Sequence, residues 1–119
     1  MEAINLTDKL ALIHEHWSPK IVAELNGQLV KLVKFKGEFL WHHHEHEDEL
    51  FMVVEGRIRM DFRDREVWVE QWELIVVPRG VEHRPVAEEE ASVMLFEPAT
   101  TLNTGNVRSE RTHEKLERI

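Results

Sequence analysis

The chain has 119 residues, 42% hydrophobic and 32% charged, with a mean hydropathy of −0.41, enough apolar material for one domain core and too polar for a membrane-spanning protein. Fifteen Lys and Arg against 23 Asp and Glu leave a net charge of −8, so phosphate backbones and anionic lipid surfaces would repel it. The absence of cysteine removes disulfides, thiolate nucleophiles and thiolate metal sites, so any metal must be held by His, Asp or Glu.

Charged residues break up the apolar positions between Met1 and Trp17, unlike a signal peptide, and the default expectation is a cytoplasmic protein. Leu6, Leu10, Ile13 and Trp17 recur at helical spacing, with Asn5 or Thr7 available as cap and Pro19 as a stop; this predicts one short amphipathic helix. Ile21 to Leu25 and Gln28 to Phe35 follow, joined by Asn26-Gly27, a dipeptide that supplies the positive φ angles of a two-residue hairpin turn.

Short apolar runs continue to Pro98, at Leu50 to Val54, Ile58 to Phe62, Val67 to Val69, Leu74 to Val77 and Val93 to Phe96, punctuated by Gly56, Arg63-Asp64-Arg65 and Pro78-Arg79-Gly80. This is an all-β pattern, a sandwich or a small antiparallel barrel. Leu50 to Val54 is apolar on both parities, so one face can line a barrel while the other packs against a second subunit or a covering segment. After Pro98 the chain turns polar, and its end either frays or docks as a helical turn or two, with Thr112 capping and Leu116 and Ile119 as anchors. No repeat or low-complexity linker interrupts the single domain expected over 1–119.

Four of the eight histidines fall at His42, His43, His44 and His46, ahead of Glu49. Residues two apart on a strand share a face at about 6.5–7 Å, so His42 and His44 can lean onto one ion. Glu49 can add a carboxylate from beyond a turn. His83 follows Pro78-Arg79-Gly80, where glycine permits a backbone conformation that aims the imidazole inward. Three imidazoles and a carboxylate suit Fe, Mn, Co, Ni, Cu or Zn rather than Mg or Ca, and leave coordination positions open. His44 and His46 form a competing pair, but only two residues then separate His46 from Glu49, tight for a return strand; the favoured set is His42, His44, Glu49 and His83.

At these residues the sequence resembles the cupin superfamily. Its first motif is matched by Gly37, His42-His43-His44, Glu49 and Gly56, and its second by Pro78-Arg79-Gly80 and His83, with Trp72 in place of the leading glycine and Ala87 in place of the trailing asparagine. The stretches Gly37 to His42, Asp48 to Phe51 and Val76 to His83 are similar to small single-domain bacterial cupins often labelled as related to mannose-6-phosphate isomerase. The resemblance implies a double-stranded β-helix barrel over about 20–98, usually dimeric, with one divalent ion inside a mouth.

Around that ion His46 and Glu82 are the candidate proton carriers, beside a metal-bound hydroxide. The four Trp and five Phe are read as core or interface. Arg57, Arg59 and Asp61 share a parity and would grip an anion if inward, though a charged outer face is the simpler reading. His14, His16 and His113 are read as surface residues. No nucleophile elbow, phosphate loop or dinucleotide fingerprint occurs. The expected function is a metal-dependent enzyme, a dioxygenase or an isomerase or lyase, acting on a small polar metabolite; the alternative is a non-catalytic ligand-binding or sensor cupin, with no nucleic-acid or membrane partner.

Overall fold

Period-two alternation governs the chain from Lys20 to Pro98, and the computed structural model, which describes residues 1–119, turns it into seven strands after a single helical turn. The strands are β1 (Lys20–Leu25), β2 (Gln28–Glu38), β3 (Glu49–Glu55), β4 (Ile58–Phe62), β5 (Glu66–Val69), β6 (Leu74–Val77) and β7 (His83–Pro98). All pairings between them are antiparallel.

Two long strands serve two layers. The C-terminal half of β7 pairs with β2 and β3, in the order β1-β2-β7-β3-β6, while its N-terminal half pairs with β4, which carries β5. A register shift between Phe35 and Gly37 lets β2 follow β7 from one layer to the other. The sequence pattern hid the first half of β7 because Glu88, Glu89 and Glu90 are exposed; that acidic run reads as a loop yet belongs to the strand.

Alternation sorts the side chains. Val33 and Phe35 of β2, Phe51 and Val53 of β3, Ile58 and Met60 of β4, and Val93 and Leu95 of β7 meet in one buried cluster, each large side chain contributing on the order of 1.5–3 kcal/mol by leaving water. On the outer face Leu10, Ile13, Val22 and Leu32 form a second, smaller cluster against which Val54, Met94 and Ile119 pack. The apolar second parity of β3 is thus covered in part by the chain's own ends. Arg59 and Asp61 lie on the outer side of β4 and pair with one another and with Arg84, so they form a charged outer face and grip nothing inside.

Both ends differ from the sequence reading. The helix α1 spans only Leu6–Leu10, capped by Asn5, whose Oδ1 accepts from the Asp8 amide at 3.0 Å. Ile13 and Trp17 have the right spacing but leave the helix because β2 captures them: Lys34 Nζ donates to the Ile13 carbonyl and the Trp17 amide donates to the Lys34 carbonyl, at 2.9 and 2.8 Å. The C-terminal segment docks, but without a helix. Thr104 is fully buried with its hydroxyl 2.7 Å from that of Thr112, and the Ile119 amide donates to the Ile21 carbonyl. No helix is long and apolar enough to cross a membrane.

Trp72, standing where the related motif has glycine, takes φ +68 with its side chain 66% exposed. A bulky residue is strained there and gains little packing in return. Replacing it by glycine should raise unfolding free energy by about 1 kcal/mol, seen as a higher melting temperature; an unchanged or lower value contradicts that strain.

Candidate metal centre

The barrel mouth is closed by backbone. His42 and His83 form an antiparallel bridge, each amide donating to the other's carbonyl at 3.0 and 2.9 Å. The Pro78-Arg79-Gly80 turn is tied to the histidine loop by the Gly80 amide, which donates to the His44 carbonyl at 2.7 Å, and by the Arg79 amide on Asp48 Oδ1 at 2.8 Å. Gly80 has φ +80, the left-handed turn that delivers His83 inward. Glu49, first residue of β3, points inward with Phe51 and Val53 on the same parity.

His42, His44, Glu49 and His83 therefore converge. All four are buried, and one donor atom from each lies within 4.8 Å of the other three. Donors bonded at about 2.1 Å sit about 3–4.2 Å apart around one ion, a spacing close to the one these four groups already have. The tautomers are set from behind: Nδ1 of His42 is 2.9 Å from the Leu40 carbonyl and Nδ1 of His83 is 2.9 Å from the Val81 carbonyl, a bond that requires the proton on Nδ1 and leaves the Nε2 lone pair free. His44 Nε2 and His83 Nε2 stand 3.2 and 3.4 Å from Glu49 Oε1, yet none of these three atoms makes a hydrogen bond. Buried polar atoms rarely go unsatisfied. Three of them converging on one point is the arrangement a divalent cation completes, and the imidazole-rich donor set fits a transition ion.

Electrostatics agree with that polarity. Burial, reinforced by the neighbouring His83, pushes the His42 imidazole down to about 4. Glu49 is pushed up by burial, but its polar contacts with Glu97, His44 and His83 outweigh this and hold it well below the usual carboxylate range. Both shifts keep the ligands in the forms that bind metal.

Behind Glu49 lies a buried charge pair absent from the sequence reading. Lys31 Nζ donates to Glu97 Oε1 at 2.6 Å, with side chains 2% and 1% exposed. Phe96 of β7 pairs with Leu50 of β3, and Lys31 of β2 with Leu95, so Lys31, Glu97 and Glu49 form a polar row across three strands. Burial and the adjacent Glu49 raise Glu97 well above the ordinary value. The available signal was a charged residue on an inward parity of each strand: Lys31 with Val33 and Phe35, Glu97 with Val93 and Leu95.

A small cavity of about 30 Å³ opens beside His42 and Glu49, with Trp17, Phe35, Phe39 and Phe51 in its wall. Four of the nine Trp and Phe thus line the pocket rather than serving only as core: Phe35 and Phe51 from inward positions of β2 and β3, Phe39 from just beyond β2, and Trp17 held against β2 by its amide hydrogen bond to Lys34. His46 and Glu82 are not brought to it. His46 is exposed on an outer cleft that it shares with His43, Glu45 and the outer side of His44. Glu82 binds Arg63 at 2.5 Å, which lowers its carboxyl. His43 points outward, 3.6 Å from Glu45, and His14 and His16 are exposed. The C-terminal segment buttresses the ligand loop: Asn106 Oδ1 accepts from the His43 amide and its own amide donates to the His43 carbonyl. A side chain at Gly105 would overlap that carbonyl.

A profile for the cupin domain matches residues 29–97, and the chain belongs to the cupin family. It is similar in structure to a cupin-2 domain protein from Shewanella frigidimarina NCIMB 400, with 47% identity, 81% of this chain and 94% of that one covered, and a TM-score of 0.80. Protein NMB1881 from Neisseria meningitidis is 38% identical, with 82% and 100% covered and a TM-score of 0.76. YdbB of Bacillus subtilis (strain 168) is 42% identical over 64 residues, 53% of this chain and 57% of that protein's length.

Two outcomes follow from the charges. In Glu97→Ala the Lys31 ammonium is left buried and unpaired, and urea unfolding should show a loss of about 3–5 kcal/mol, most of it recovered in a Lys31→Met, Glu97→Leu double variant; undiminished stability in Glu97→Ala contradicts the pairing. For metal-free protein, the unfolded chain protonates His42 near 6.5 but the folded one only near 4, so stability falls as pH drops through that window. The His42 share reaches up to about 3 kcal/mol at the acid end. A His42→Gln variant should lose that part of the slope in unfolding measured from pH 7 to 4.5; an identical slope refutes it.

Proposed function

We propose that this cupin holds one divalent transition ion on His42, His44, Glu49 and His83 and uses it to act on a small molecule in the adjoining cavity. The observation that carries the reading is the convergence of three unsatisfied buried donor atoms, His44 Nε2, Glu49 Oε1 and His83 Nε2. A bound ion of this class supplies Lewis acidity and, when redox-active, access to dioxygen chemistry. The chain's own residues fix the imidazoles through Leu40 and Val81, keep Glu49 ionised, and exclude water with an aromatic wall.

Between the two reaction classes the wall favours oxygenation. Isomerisation and elimination need a positioned acid or base, and apart from His42 and Glu49 no titratable side chain lines the cavity. The same lack supports a second reading, a sensor that binds its ligand without turnover. A cytoplasmic setting suits a chain free of cysteine.

The test is loading of chelator-stripped protein with Fe, Mn, Co, Ni, Cu or Zn, followed by elemental analysis and oxygen-consumption assays. Wild type should retain about one ion per chain, and a His42→Ala, His83→Ala double variant should lose it. Equal metal content in the two removes the proposal; stoichiometric metal and ligand-induced thermal shifts without turnover under any ion select the sensor.

A further inference from the structure

His42 and His83 are fixed from behind by main-chain carbonyls, whereas Glu49 is backed by a second carboxyl. β3 and β7 run antiparallel with Leu50 opposite Phe96, Phe51 opposite Leu95 and Val53 opposite Val93, so the next step of the ladder sets Glu49 across from Glu97. Both lie on the inward parity, in line with the buried Phe51, Val53, Val93 and Leu95. Side chains directly opposite on an antiparallel pair have Cβ atoms about 4.5–5.5 Å apart, and here the two carboxyl groups meet in a hydrogen-bonding contact.

The four carboxyl oxygens divide between two neighbours. Glu49 Oε1 faces the imidazoles, 3.2 Å from His44 Nε2 and 3.4 Å from His83 Nε2, which leaves Oε2 for Glu97. Glu97 Oε1 accepts from Lys31 Nζ at 2.6 Å, while its Oε2 meets no N–H or hydroxyl and is the oxygen left to reach Glu49. Lys31 is itself buried, on β2 opposite Leu95, so it fixes Glu97 from the diagonal position of the next strand. Two carboxyls meet favourably only with a proton between them. Burial and Glu49 raise Glu97, and the Glu97 contact helps keep Glu49 ionised, so Glu97 donates and Glu49 accepts. Such charge-assisted bonds are short and strong. Stability alone does not account for the arrangement, since a buried ion pair adds little over apolar side chains of similar volume.

We infer that Glu97, anchored by Lys31, is a positioning residue of the metal centre: it holds Glu49 Oε2 and thereby presents Oε1 to the ion. This role rests on the proposed metal site. Without the hold, the flexible Glu49 side chain is ordered only when the ion arrives, and part of the binding free energy is lost to that ordering. Partners that orient a metal ligand from behind are each worth about 10–100-fold in metal affinity.

The test is titration of chelator-stripped protein with cobalt, read by visible absorption, with thermal melting of each metal-free variant in parallel. The Lys31→Met, Glu97→Leu double variant should melt close to wild type yet bind cobalt about 10–100-fold more weakly, with altered cobalt bands. Glu97→Gln keeps an acceptor for Lys31 and an N–H donor for Glu49, and should bind within about threefold of wild type with superimposable bands. Lys31→Met alone removes the anchor and leaves both carboxyls; it replaces the double variant if that fails to fold, and should weaken cobalt at least threefold. Wild-type affinity and bands in the folded double variant, or in Lys31→Met where it stands in, overturn the role and leave the metal site intact. Glu97→Gln as weak as the double variant overturns it as well. Wild type that binds no cobalt removes the metal site, and this role with it.

Discussion

Two backbone hydrogen bonds between His42 and His83 join segments 41 positions apart in the chain, and the whole site depends on that closure. Side chains alone could not hold three imidazoles together, because apposed rings with outward water available would separate. The bridge instead makes their proximity a consequence of strand pairing, with the ring centroids of His42 and His83 4.3 Å apart. Everything nearby reinforces it: Gly80 on the His44 carbonyl, Asp48 on the Arg79 amide, and Asn106 on both backbone groups of His43. Preorganisation of this sort lowers the ordering cost at the moment a ligand arrives.

Charge is segregated within the barrel. The barrel interior carries Glu49 and the Lys31–Glu97 pair on one side and carbon on the other, while the arginines gather outside, over Trp41 and Trp68 and around Asp61. A buried ion pair gives little net stability against an apolar substitute. Its position one strand behind Glu49 suits it to shaping the local field at the centre instead.

Much of the site was legible in the sequence because its signals were chemical and local. His42, His44 and Glu49 fall within eight residues, and Pro78-Arg79-Gly80 announces the turn before His83. What escaped depended on register between distant strands. Lys31 and Glu97 are 66 residues apart, and only the β2–β7 alignment reveals that they share a face. The stripe of Leu6, Leu10, Ile13 and Trp17 satisfied helical spacing by coincidence, since β2 claims the last two residues by hydrogen bonds no local pattern encodes. Trp17 then became part of the cavity wall, and the aromatic character of the pocket went unseen with it. The polar C-terminal segment was ambiguous for the opposite reason: its anchors are backbone groups of His43 and Ile21, which have no composition to read.

The most direct examination of the central claim is X-ray absorption at the metal edge of protein loaded with one equivalent of zinc or cobalt. Three histidine nitrogens at about 2.0–2.1 Å, with the multiple-scattering signature of imidazole, and one carboxylate oxygen at about 2.0–2.2 Å are predicted. A shell of oxygen alone, or one imidazole at most, would contradict the account.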